Sequence, residues 1–131
     1  MTTQRALIQK EFHFSASHQL THLLDAEPDH PCARLHGHNY VVTLSLRGDI
    51  NPATGFVLDY GTLKQFQQYI DQAFDHRHLN DVCGSAIETT AENLAHRFNR
   101  IALCMFGPLV HSVQICETPK TSAEVVNVAE F

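Results

Sequence analysis

The sequence predicts an α+β fold, with two helices on one face of a four-stranded antiparallel sheet, in the order β, β, α, α, β, β. Three observations predict it. Residues 6–18 and about 36–47 alternate with period two and are rich in β-branched and aromatic side chains. The middle of the chain changes twice to helical spacing. Beyond Gly107-Pro108 the alternation returns in two further runs. Strands, then helices, then strands in one short chain place the helices together on one side of a sheet.

In the first strand Ile8, Phe12, Phe14 and Ala16 share a parity, with Lys10 as the exception, and His18 ends the run on the same side. Residues 19–35 hold Asp25, Pro28, Asp29 and Pro31 and read as a loop. In the second strand Tyr40, Val42, Leu44 and Leu46 share a face that His36 and His38 extend backward. If these two strands pair antiparallel through the loop, the end of the first meets the start of the second. His18 then lies beside His36 and His38. Residues 48–55, with Asn51-Pro52 and Gly55, read as a turn, and Asp59 as the cap of the first helix. Leu63, Phe66, Ile70, Ala73 and Phe74 form that helix's buried stripe. Asp75–Asp81 ends it, and a loop runs through Gly84. Thr89-Thr90-Ala91-Glu92 has capping-box spacing and opens the second helix. Its stripe is Leu94, Phe98, Ile101 and Met105, and Gly107-Pro108 stops it. The third strand covers about 109–117 and the fourth 123–130, joined by a turn over 118–122. Helices cover one face of such a sheet. The other face, expected to carry aromatic and aliphatic residues, would be covered by oligomerisation.

A length of 131 residues fits one domain over 1–131, and 44% hydrophobic residues suit a soluble fold. No apolar run approaches the roughly 18 residues that a spanning helix needs. Residues 1–5 lack the apolar region of a secretory signal. A cytoplasmic protein without a membrane partner is expected. The net charge of −5 and the lack of a Lys/Arg cluster argue against nucleic acid as a partner. Cys32, Cys83, Cys104 and Cys116 form no CxxC pair and are expected to be reduced.

The chemistry concentrates in Cys32-Ala33-Arg34-Leu35-His36-Gly37-His38 together with His18. Three neutral imidazoles and an open fourth position make a catalytic zinc site. Zinc is favoured over iron because no carboxylate completes a facial triad at this spacing. Cys32 has three readings: a thiolate favoured by the nearby ion, a fourth ligand closing the site, or a small buried hydrophobe. Asp75-His76 reads either as an acid–base pair or as a helix end. Glu117 is a carboxylate at a strand end, and a helix cap accounts for Thr89 and Glu92. His13, His22, His30, His96 and His111 are expected to be structural or solvated.

These pieces together resemble the 6-pyruvoyl-tetrahydropterin synthase family, most of all its bacterial branch, the 6-carboxy-tetrahydropterin synthases of queuosine biosynthesis. The resemblance rests on six segments in family order. The first three are Phe14-Ser15-Ala16-Ser17-His18, Cys32-x3-His36-Gly37-His38-Asn39-Tyr40 and Gly55-Phe56-Val57-Leu58-Asp59-Tyr60. Asp75-His76-Arg77-His78-Leu79-Asn80, Thr90-Ala91-Glu92-Asn93 and Cys116-Glu117-Thr118 complete the set. It implies the tunnelling fold, a ββααββ subunit whose trimers close their sheets into a barrel and stack in pairs as a homohexamer with shared active sites. It implies Zn2+ on His18, His36 and His38, Cys32 as general base, and Asp75 with His76 as a second proton relay. Glu117 would anchor the pterin ring through its N–H edge, and Thr90 would contact the pterin. The implied substrate is 7,8-dihydroneopterin triphosphate. The gap of three residues between Cys32 and His36, and Ala91 at the second position of Thr90-Ala91-Glu92-Asn93, match the carboxy-forming branch. The implied products are then 6-carboxy-5,6,7,8-tetrahydropterin, acetaldehyde and triphosphate. Arg34, Lys10, Arg77 and Lys120 are candidates for offsetting the triphosphate charge.

Overall fold

A computed structural model describes residues 3–84 and 86–128. Two long strands, β1 (Arg5–His18) and β2 (His36–Asp49), pair antiparallel over their whole length, from Arg5 opposite Asp49 to His18 opposite His36. β4 (Val110–Thr118) follows on the far side of β2, and β5 (Thr121–Val126) lies beside β4. Each of these four strands is antiparallel to its neighbours, as expected.

The sheet nevertheless has five strands, in the order β3-β1-β2-β4-β5. The added strand, β3, is only Arg77–His78, and it pairs parallel to β1 at Ala16 and Ser17. Two residues carry no readable period. Tertiary hydrogen bonds hold them in place: the His76 N–H donates to the Ser15 carbonyl at 2.6 Å, and the Ser15 N–H donates to Asp75 Oδ1 at 2.9 Å. The segment read as a loop over 19–35 contains a short helix, α1 (Thr21–Ala26), and a 3₁₀ turn at Pro31–Ala33. Another short helix, α3 (Leu79–Cys83), follows β3 directly. The final strand spans 121–126 rather than 123–130, and residues 129 and 130 of that expectation lie outside the described residues.

The two principal helices are α2 (Lys64–Ala73) and α4 (Ala91–Phe106). Asp59 caps the 3₁₀ turn Tyr60–Leu63 that leads into α2, accepting the Gly61 N–H at 2.9 Å. From α2 and its flanks Leu63, Phe66, Ile70 and Phe74 are fully buried. From α4 Leu94, Ala95, Phe98 and Ala102 are buried, whereas Ile101 and Met105 pack at the edge of the core. Phe12, Phe14, Tyr40, Val42, Leu44, Val113 and Ile115 meet them from the sheet. Phe98 lies 4.5 Å from Phe74 and 5.7 Å from Phe14, between ring centroids. A cluster of large aromatic rings thus ties both helices to β1.

The opposite face of the sheet carries some of the expected aliphatic residues, Leu7, Val41 and Val126, but none of the expected aromatic ones among the described residues, and it is mostly polar. Its residues on β1 include Gln9, Glu11, His13, Ser15 and Ser17, and on the other strands Thr43, Gln114 and Glu124. Strand side chains alternate, so placing Phe12, Phe14 and Tyr40 beneath the helices leaves the intervening residues, mostly small or polar, outside.

Candidate metal centre

The antiparallel register places His18 directly opposite His36, and His38 opposite Ala16. Period two then keeps all three imidazoles on the helix-covered side, beyond Phe14 and Tyr40. Their ligand atoms lie within 4.8 Å of one another. The rings stand edge-on, with centroids 4.5 Å (His18–His36), 5.1 Å (His18–His38) and 4.9 Å (His36–His38) apart.

Hydrogen bonds set which nitrogen faces inward. His18 Nδ1 lies 2.8 Å from the Thr89 carbonyl and 3.1 Å from the Thr89 hydroxyl. His36 Nδ1 lies 2.7 Å from the Arg34 carbonyl. A carbonyl only accepts, so both Nδ1 atoms carry the proton and both Nε2 atoms present lone pairs. These two Nε2 atoms face each other at 2.9 Å. Two lone pairs so close repel unless a cation lies between them. Imidazoles sharing a tetrahedral zinc at about 2.0–2.1 Å hold their nitrogens about 3.3 Å apart. The donor set therefore fits a metal ion with minor adjustment.

Burial also keeps the cluster in its ligating form. His18 is only 1% exposed. Loss of solvation brings its pKa down from 6.5 to about 4, reinforced by His36, His38 and His78 and opposed by the Thr89 carbonyl. His38 is lowered as well, by burial first and by His36 second. Both rings stay neutral at pH 7, as a metal ligand must.

Cys32 sits in the 3₁₀ turn just upstream. Its carbonyl accepts the Leu20 N–H at 3.0 Å, and its own N–H donates to His30 Nδ1 at 3.1 Å. Gln19 reinforces the arrangement, its side-chain amide donating to the Ala33 carbonyl at 2.8 Å. The thiol-bearing turn is thereby fastened beside the end of β1 from which His18 projects. Among the described residues the converging ligand atoms belong to the three histidines, without the Cys32 sulfur. That arrangement leaves the fourth position open.

Glu117 has the parity of Val113 and Ile115 and so points to the helix-covered side, one step past the Val41–Cys116 pair. Burial pushes its carboxyl above the usual range, the neighbouring Glu92 adds to this, and His36 counteracts it. Tyr40 is wholly buried at the same end, stacked on Phe14 at 4.8 Å and edge-on to His38 at 5.4 Å. Among the described residues its phenol has no hydrogen-bond partner, and it is pushed above its usual pKa, chiefly by burial.

Asp75 and His76 occupy a different setting. They lie at the outer edge of β1, where Asp75 Oδ2 is 2.9 Å from His76 Nδ1 and the His76 side chain is 82% exposed. His76 adopts φ 58°, the one positive φ among the described non-glycine residues. The Ser15 N–H, and after it the His76 ring, hold the Asp75 carboxyl below its usual range. A depression of about 430 Å³ begins here, lined by His76, Arg77 and His78 on one side and by Gly37, His38 and Asn39 on the other. A second, of about 460 Å³, continues past Arg77 to Gln72 and Asp81. Of the four cationic candidates Arg77 lines both, whereas Lys10 lies over the Phe12 ring at 5.5 Å.

The cap of α4 is shifted by one residue from the expected register. Thr90, not Thr89, is the N-cap, and its hydroxyl accepts the Asn93 N–H at 3.2 Å. Thr89 is instead buried against His18. Two adjacent threonines ahead of a helix satisfy either register, so the local pattern held no signal for Thr89's contact. His78, hydrogen-bonded to the Ser17 hydroxyl at 2.9 Å, also escaped the sequence reading.

The family model for 6-pyruvoyl tetrahydropterin synthase matches residues 7–127. A putative 6-pyruvoyl tetrahydrobiopterin synthase of Caenorhabditis elegans is 37% identical over 118 residues, covering 82% of this chain and 84% of that one. A 6-carboxy-5,6,7,8-tetrahydropterin synthase of Synechocystis sp. is 32% identical over 122 residues, covering 89% and 90%. The structure of Caenorhabditis elegans 6-pyruvoyl tetrahydropterin synthase superposes with a TM-score of 0.87 at 28% identity, over 98% of this chain and 100% of that one. The chain belongs to the 6-pyruvoyl tetrahydropterin synthase family.

Proposed function

We propose that this pterin synthase family member is a zinc-dependent lyase. It converts 7,8-dihydroneopterin triphosphate to 6-carboxy-5,6,7,8-tetrahydropterin with loss of acetaldehyde and triphosphate, in a route to queuosine or another deazapurine. One observation carries the reading: the three imidazoles converge, with the Nδ1 protons of His18 and His36 committed outward to backbone carbonyls and their Nε2 lone pairs facing inward. His18, His36 and His38 hold the ion, which when bound polarises substrate oxygens and acidifies adjacent C–H and O–H groups.

The other residues divide the remaining work. Glu117, facing the same end of the sheet, anchors the pterin by accepting hydrogen bonds from its N–H edge. Its half-burial disfavours the bare carboxylate, and the ring's N–H donors compensate for the lost water. The Thr90 hydroxyl accepts from Asn93, leaving its proton free to donate to the pterin. Cys32 removes a proton from the side chain as general base. Asp75 fixes the tautomer of His76, which moves the second proton. Arg77, beside His76, offsets phosphate charge. The exposure of His76 supports its serving a site completed by a second subunit, within a cytoplasmic homohexamer of two stacked trimers.

A 6-pyruvoyl-forming reaction is the second reading, favoured by the 37% identity to the nematode relative against 32% to the cyanobacterial one. The Cys32–His36 spacing and Ala91 favour the carboxy reading. Product identification by mass spectrometry, with zinc-loaded protein and 7,8-dihydroneopterin triphosphate, separates them. Acetaldehyde with a 6-carboxy product is expected. A 6-pyruvoyl product would replace the first reading with the second, and no turnover would remove both.

A further inference from the structure

The three consecutive residues ahead of and capping α4 each tie down a different part of the molecule. Thr90 caps the helix. Thr89, 1% exposed, presents both its carbonyl and its hydroxyl to His18 Nδ1, at 2.8 and 3.1 Å. Glu88, whose side chain is 17% exposed, reaches the opposite way with one oxygen. That Oε1 accepts the Thr21 hydroxyl at 2.8 Å and the His22 N–H at 3.3 Å, and it lies 3.2 Å from His22 Nδ1. Thr21 and His22 begin α1, immediately after Leu20, whose N–H is bonded to the Cys32 carbonyl. The Asn93 side chain locks the segment in turn by donating to the Glu88 carbonyl at 2.9 Å.

We infer that Glu88 and Thr89 are paired positioning residues: Thr89 orients His18 for the metal, and Glu88 anchors the loop that carries Cys32. The inference rests on the reading of the three imidazoles as a metal site. The chemistry of each contact supports the division. A ligating imidazole needs its distal N–H held, and that partner sets both ring orientation and basicity. His18 is buried too deeply for water to take that role. On the other side, a six-residue helix is far too short to be stable alone. Among the described residues α1 contributes none to the buried set, so its placement falls to hydrogen bonds such as those at Glu88.

The two functions are separable by measurement. Zinc affinity is read by competition with a chromophoric chelator, and Cys32 exposure by the rate of iodoacetamide labelling of its peptide, resolved by mass spectrometry on the metal-free full chain. Thr89→Val keeps the shape and the nearer carbonyl contact but lacks the hydroxyl, and is expected to weaken zinc binding about three-fold, less than the roughly ten-fold of a wholly lost partner. Thr89→Ser, which restores the hydroxyl, is expected to recover most of this. Glu88→Ala is expected to leave zinc affinity within two-fold and to speed Cys32 labelling at least three-fold, with Cys104 labelling as the unaffected reference. Wild-type zinc affinity in Thr89→Val, or unchanged Cys32 labelling in Glu88→Ala, would overturn the corresponding half. Failure of the unmutated protein to bind zinc would instead remove the metal-site reading itself. Circular dichroism on each variant identifies a fold defect, and Thr89→Ser then decides the Thr89 half, as Glu88→Gln does the Glu88 half.

Discussion

The two groups of histidine in this molecule are built in opposite ways. His18, His36 and His38 lie on the helix-covered side at the end of β1 and β2, with the Nδ1 protons of His18 and His36 directed to backbone carbonyls. His76 stands on the outer edge of β1, 82% exposed, paired with Asp75 and in a left-handed backbone conformation. The difference fits the proposed role of each ring. A metal ligand must stay neutral and keep one orientation, so burial helps it. A proton carrier must change charge, which burial would penalise, so it sits in solvent beside a carboxylate. One group converges within the chain, while the other is displayed at an edge.

The strongest break of this contrast is His18→Ala. Zinc binds small protein sites with roughly 10–16 kcal/mol, and losing one ligand of three should weaken it about 10³-fold or more. His76→Ala should leave that affinity unchanged, as measured by the same chelator competition. In the proposed reaction, His76→Ala should instead lower kcat by about 10²–10³-fold. Equal effects of both substitutions on zinc affinity would mean that the two groups form one cluster.

Acid should distinguish them too. The His18 pKa is lowered in the folded protein, from 6.5 to about 4, so the unfolded chain binds more protons over that interval. Stability from this group is complete above pH 6.5 and is lost as pH falls through 4. Metal-free protein should lose about 2 kcal/mol between pH 7 and pH 5 from His18, measured by urea unfolding. His18→Gln should flatten that slope, and His76→Gln should not. A slope insensitive to His18→Gln would separate acid sensitivity from the buried cluster.

The smallest expected effect concerns the backbone of the exposed group. His76 holds φ 58°, which glycine adopts without a Cβ clash. His76→Gly should be more stable than His76→Ala by about 1 kcal/mol, although both lack the imidazole. Equal stability would show that the Ser15 and Asp75 hydrogen bonds impose no strain there.

Much of the histidine cluster was legible in the sequence. His18 shares parity with Phe14, and His36 and His38 share parity with Tyr40, so an antiparallel hairpin alone brings the rings together. The helix stripes at Phe66, Ile70, Leu94 and Phe98 were equally readable. β3 was not, because two residues show no period, and its place depends on Asp75 meeting Ser15. Nor was the polar character of the open face, since alternation tells which residues share a side but not which side is covered.

Short-range periodicity thus dictated the strands, the main helices and the three candidate ligands, because side-chain direction repeats along the backbone itself. Thr89 beneath His18, Glu88 against α1 and His76 against Ser15 join residues 61 to 71 positions apart. Those contacts arise only when α2 and α4 dock on the sheet, bringing the ends of distant segments together around a common aromatic core. Burial and hydrogen-bond direction are properties of that packing, and they separate the converging His18, His36 and His38 from the solvent-facing His76, built of the same residue type.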